Sequence, residues 1–114
     1  MTAHSLERVL ARTGGGVTLR HVRAMCAEGL AQRFVADDGS VVVTQVIDEP
    51  AQTVVGIWLA EGQLAGCLEC LDRIEAYAQR IGARVVRVTG RAGWVRQLQP
   101  RGYVEVARVL ERVL

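Results

Sequence analysis

The stretch from Thr53 to Thr89 limits what this chain can fold into more than any other. Thr53 to Ala60 (TVVGIWLA) is dense in β-branched and aromatic residues and reads as a strand. Gly62 to Ile81 follows, with Leu64, Leu68, Leu71, Ile74, Ala78 and Ile81 recurring at helical spacing. Glu69, Asp72, Arg73 and Arg80 fall off that stripe, and Gly82 supplies the stop. Arg84 to Thr89 then alternates as a second strand. A helix of this length between two strands predicts a right-handed crossover with the strands parallel. The sheet must then bury one face under that helix.

The rest of the chain builds outward from this unit. Thr18 reads as an N-cap, followed by Leu19, Val22, Cys26 and Leu30 on one face of a helix reaching about Gln32. Asp37-Asp38-Gly39-Ser40 is a turn, Val41 to Ile47 a strand, and Arg33 to Ala36 its short partner. Five residues, Asp48 to Gln52, then form the loop of an antiparallel hairpin with Thr53 to Ala60. After Thr89 come a loop, a short helix from Trp94 to Leu98 stopped by Pro100 and Gly102, and a last strand from Tyr103 to Val109. Ser5 to Arg12 suggests a short helix ahead of Gly14-Gly15-Gly16, so residues 1–16 read as a mobile arm and 17–114 as one domain. The expected class is α+β, with one mixed sheet of four or five strands and a long crossover helix.

Composition narrows the class of partner. No apolar run approaches the roughly 20 residues of a membrane span, and the first ten residues carry no signal-like core. A soluble, cytoplasmic protein without a membrane partner is expected. All fourteen basic residues are arginine. The net charge of +2 is too mild to demand a polyanion, but it is unevenly spread. Residues 1–72 hold five arginines against nine acids; residues 73–114 hold nine against three. The two halves can pair within the fold or across a dimer, or the second can offer a phosphate-binding face. Arg91, Trp94, Arg96 and Arg101 are the residues of such a face, Trp94 stacking and the arginines contacting phosphates. The competing role for Trp94 is a plug between the short helix and the sheet.

The three cysteines, Cys26, Cys67 and Cys70, are odd in number and read as reduced thiols. Cys67-Leu68-Glu69-Cys70 places its first cysteine inside the helix rather than at its cap, and His4 and His21 add no second close pair. No metal is expected. Glu49 could act as a general base but is more simply part of an acidic turn.

The order of elements resembles the core of the GNAT acyltransferase fold. The segment Gly90-Arg91-Ala92-Gly93-Trp94-Val95-Arg96-Gln97-Leu98-Gln99-Pro100-Arg101-Gly102-Tyr103 is similar to small phage-encoded GNAT-like proteins found among head and DNA-packaging genes. Their last third reads G-R-x-G-W-x-R-x-L-x-x-x-G-Y. The resemblance implies a phage or prophage origin, a bacterial host cytoplasm, and acetyl-CoA as the cofactor if the protein is an enzyme. The family holds the acetyl-CoA pyrophosphate on a loop of form Q/R-x-x-G-x-G/A, which places Gln63 and Gly66 as the candidate cofactor contacts. Leu68 departs from that pattern, and Glu61 adds a negative charge beside the phosphates. The family's proton-donating tyrosine falls at Leu98, which cannot donate. A protein without catalytic residues, acting by protein or nucleotide contact, is therefore expected. An acyl-CoA-dependent N-acetyltransferase and an arginine-rich nucleic-acid-binding factor are the alternatives. A homodimer is expected to cover the valine-rich strands between Ser40 and Ala60.

Overall fold

The computed structural model describes residues 18–89, 92–108 and 110–114. The arm expected at residues 1–16, with its short helix, and Arg91 lie outside the described residues. Three helices and four strands are described: α1 (Leu19–Ala27), β1 (Ala31–Val35), β2 (Val41–Glu49), β3 (Gln52–Glu61), α2 (Leu64–Arg80), β4 (Val85–Val88) and α3 (Ala92–Leu98). A 3₁₀ turn, Gln99–Arg101, follows α3. The fold is α+β around a mixed sheet of order β1-β2-β3-β4. β1-β2 and β2-β3 are antiparallel, whereas β3-β4 is parallel, as the crossover through α2 requires.

Adjacent residues of β2 point to opposite faces, and each face carries its own core. Val41 and Val43 pack with Val22 of α1, Ala31 and Leu59. Val42 packs with Val55 and with Cys67, Cys70, Ile74 and Ala78 of α2. This removes the reason given for a dimer over Ser40 to Ala60. β2 and β3 are interior strands, and Val41, Val42, Val43, Val54 and Val55 are already buried within one chain.

Several boundaries differ from the expected ones for local reasons. Thr18 caps α1 by accepting the His21 N–H at 3.2 Å, but α1 ends at Ala27 rather than about Gln32. Gly29 turns the chain with φ +76°, and Leu30, expected on the helix face, is exposed. The hairpin loop is two residues, Pro50 and Ala51, not five, because Asp48 and Glu49 stay in the ladder opposite Thr53 and Gln52. Their side chains hold it shut: Gln52 Nε2 donates to Glu49 Oε1 at 2.8 Å and Thr53 Oγ1 to Asp48 Oδ1 at 3.5 Å. Gly56 is a close-approach position, where a Cβ would lie 3.0 Å from Ile47 Cδ1. A bulge lies two residues on, since Val43 pairs with Leu59 and Thr44 with Ile57, leaving Trp58 as the extra residue. α3 begins at Ala92, two residues earlier than expected.

The largest correction is at the C-terminal end. Residues 103–108, expected as a strand, pair with no neighbour among the described residues and form no regular structure. The alternation of Tyr103 to Val109 is real, but a strand needs a ladder partner as well as a pattern.

Candidate functional site

The functional question centres on where β3 and β4 part. Their parallel ladder runs from Val54/Val85 to Ile57/Val88, and β3 then continues alone to Glu61. Beyond that point a cleft opens, lined by Val42, Ile57, Ala60, Cys67, Leu68, Leu71, Val88, Thr89, Trp94 and Leu98. Its volume is about 40 Å³, where about 10–15 Å³ holds one water. The lining is almost wholly apolar. Leu98, at the position of the expected proton donor, is 5% exposed and closes one wall. Cys67 is the ionisable group facing the cleft. Burial pushes its thiol up, and Cys70, Asp38 and Glu61 push it the same way, so it stays a neutral thiol at pH 7.

At the open end of β3 lies the corner that leads into α2. Gly62 turns the chain with φ +119°, and Gln63 is the N-cap residue. The Gln63 N–H donates to Ser40 Oγ at 2.9 Å, and its carbonyl accepts the Cys67 N–H at 3.0 Å. Ser40 is buried and Asp38 stands beside it, accepting the Ser40 N–H at 2.9 Å. The Ser40 hydroxyl, then its amide, hold the Asp38 carboxyl below its ordinary range. Both side chains press on Gly66: a Cβ there would lie within 2.6 Å of Asp38 Oδ1, Asp38 Oδ2 and Ser40 Oγ. The glycine that would let a ligand approach the helix instead lets the β1–β2 turn approach it. A phosphate arriving at this helix end would meet the Asp38 carboxylate there, with Glu61 close enough to raise the same Cys67 thiol.

The arginine-rich segment is placed unevenly. Trp94 lines the cleft and packs against the α2-side core, the plugging role. Arg96 is exposed on α3, two residues from both Trp94 and Leu98 and so on the side of the helix away from the cleft. Arg101 pairs with Asp72 of α2, and Tyr103 donates from its hydroxyl to Glu75 Oε2 at 2.6 Å. Burial, then that carboxylate, raise the Tyr103 hydroxyl far above its ordinary range. Two of the three described candidates are thus committed to internal contacts, and the structure does not gather all three around one concavity.

Glu49 is not poised as a base. It accepts both ends of the Arg87 guanidinium, at 2.8 and 3.2 Å, and Arg87 together with Gln52 lowers its pKa to about 2. The pair ties the β2–β3 hairpin to β4. Sequence spacing gave no sign of it, because the residues are 38 apart and meet only through the sheet. Nor did it point to Asp38 and Ser40. Among the described residues no cluster of three or more His, Cys, Asp or Glu could hold a metal ion, and no helix is long and apolar enough to cross a membrane.

Comparison with known proteins agrees on the fold. No protein-family model and no curated protein matches the chain. An acetyltransferase from Trypanosoma brucei superposes with TM-score 0.70 over 100% of this chain and 96% of that one, at 10% identity. A transcriptional regulator from Bacillus halodurans gives 0.72 over 98% and 90%, at 13% identity. A predicted acetyltransferase with acetyl-CoA from Clostridium acetobutylicum gives 0.66 over 82% and 71%, at 14% identity. The chain has a GNAT-like fold. At these identities the likeness extends to the fold alone.

Proposed function

We propose that this chain is a phage or prophage GNAT-like protein that works in the bacterial cytoplasm by contact with other macromolecules rather than by acyl transfer. One observation carries the proposal: the space between β3 and β4 is a small apolar cavity whose ionisable lining group is a thiol held neutral. Acyl transfer from a thioester to an amine needs a route for a proton off the amine and onto the leaving thiolate. Leu98 offers none, and Glu49 is held by Arg87. The corner at Gln63 and Gly66 supports the same conclusion, because Ser40 takes the Gln63 amide and Asp38 occupies the space over Gly66. The phage setting rests on the resemblance of the Gly90 to Tyr103 segment.

The acetyl-CoA-bound state of the Clostridium acetobutylicum neighbour favours a second function, an N-acetyltransferase using that cofactor through Gln63 and Gly66. Thermal melting separates the two. A ligand at about 100 times its dissociation constant adds roughly 2.7 kcal/mol, several degrees for a chain of this size. Millimolar acetyl-CoA is expected to move the melting temperature by less than about 1 °C; a shift of several degrees would establish the cofactor site. An oligonucleotide titrated against Arg96→Ala tests nucleic acid as the contact.

A further inference from the structure

The positive charge that gathers by sequence in residues 73–114 is mostly engaged within the chain. Arg73 donates to the Val35 carbonyl, and Arg80 lies over the Tyr77 ring at 5.9 Å. Arg87, Arg101 and Arg108 pair with Glu49, Asp72 and Glu105. Arg84, Arg96 and Arg112 are exposed singly, on separate segments. The acidic first part of the chain holds the other unpaired arginines. Arg20, Arg23 and Arg33 are exposed, and none of their guanidinium groups has a hydrogen bond or ion pair among the described residues.

The fold places these three on one side of the molecule. α1 contains no acid and turns Leu19, Val22, Met25 and Cys26 toward the sheet. Arg20 and Arg23, three residues apart, share one outer flank. Ala24 and Ala27, each four residues on from one of them, are exposed and add nothing longer than a methyl group. Glu28, the acid nearest α1 in sequence, lies seven residues from His21 and so on the opposite flank. Gly29 then turns the chain, and β1 returns beside α1. Arg33 stands opposite Val43 in the ladder and shares its face of the sheet. Val43 packs with Val22 of α1, so Arg33 leaves the sheet at the margin of that helix.

We propose that α1 and Arg33 bind the phosphate backbone of a nucleic acid without reading its sequence. Guanidinium groups match phosphate in geometry as well as charge, and backbone contact needs little besides cations. A protein partner would need a buried apolar anchor, and α1 exposes no large hydrophobic side chain. Leu30 and Val35 are exposed, but they lie beyond the end of α1 and at the last residue of β1. The nearby aromatic rings are engaged elsewhere: Phe34 meets Tyr77, and Trp58 packs against the core under α1. Bases therefore find no stacking platform here. This rests on the contact function proposed above and names its partner, and it moves the basic surface from residues 91–101 to α1.

Fluorescence anisotropy of a labelled, mixed-sequence single-stranded oligonucleotide tests it. Three phosphate contacts predict an affinity that falls roughly twentyfold between about 50 and 200 mM salt. Arg20→Gln combined with Arg23→Gln leaves one contact, so that fall is expected to shrink to about threefold. Arg20→Lys combined with Arg23→Lys keeps the charge and is expected to keep most of the salt dependence. These side chains are exposed, and an unchanged melting temperature in each variant confirms that the fold is intact. No binding at low salt, an unchanged salt dependence in the glutamine pair, or equal affinity for a polyglutamate peptide would each overturn the proposal. Loss of binding in Arg96→Ala but not in the glutamine pair would also overturn it, while leaving the contact function standing. Saturable acetyl-CoA binding would remove that function without touching the oligonucleotide result, so the two failures are distinguishable.

Discussion

The corner between β3 and α2 and the segment after Tyr103 solve opposite problems. At the corner, Ser40 sits between Gly62 and Gly66, a backbone amide and a carbonyl of Gln63 both find partners, and Asp38 lies over the start of the helix. The Gln63 amide and carbonyl are matched internally, and the space over Gly66 is taken by Asp38 and Ser40. After Tyr103 the balance reverses: apolar side chains stand in water, and no strand among the described residues pairs with the segment. A fold whose relatives in shape include acetyltransferases has here shut the end of the helix and opened its last segment. The difference teaches what the proposed contact function rests on: a helix end crowded from within the chain, against a segment whose apolar side chains are left in water.

Substitutions at the corner give the largest effects. Gly62→Ala places a Cβ 2.7 Å from Ser40 Cα, backbone that cannot swing aside, at a φ of +119°. A loss of about 3 kcal/mol is expected by chemical denaturation; a loss below about 0.5 kcal/mol would mean the corner is looser than described. Gly66→Ala meets mostly the movable end of Asp38 and gains helix propensity, so about 1–2 kcal/mol is expected. Adding Asp38→Ala should return part of that loss, a coupling of at least about 0.5 kcal/mol. Strict additivity would show that Asp38 does not press on Gly66.

The smallest effect is expected where the β2–β3 hairpin is tied to β4 by Glu49 and Arg87. Glu49 has its pKa lowered from 4.5 to about 2 by Arg87, so its contribution is fully present above pH 4.5 and fades as the pH falls through about 2. Both partners are about one-third exposed, which keeps the effect modest. The melting temperature of Glu49→Gln should lie slightly below that of the wild type at pH 6 and converge with it near pH 2. Parallel profiles would mean that the pair contributes no pH-dependent stability.

Much of the fold was legible because its signals were local. Thr18 capped a helix, Leu71, Ile74 and Ala78 of the expected stripe are buried while its ends Leu64 and Ile81 are exposed, and the two flanking runs paired in parallel. What failed was what depends on distant partners. The alternation of Tyr103 to Val109 could not reveal that no strand stood beside it, and Asp48 to Gln52 looked like a loop until cross-strand pairing joined them. The candidate site was legible only in part. Leu98 marked the apolar cleft wall, yet Gln63 and Gly66 could not disclose that Asp38 and Ser40, more than 20 residues away, would fill the space beside them.

The most direct test of contact without acyl transfer is an amide-resolved titration of the ¹⁵N-labelled protein with acetyl-CoA. The closed corner predicts that the amides of Gly62, Gln63 and Gly66 and the Trp94 indole hold their positions to millimolar ligand. Saturable shifts at those amides would show that Asp38 yields to phosphate and would restore the acetyltransferase.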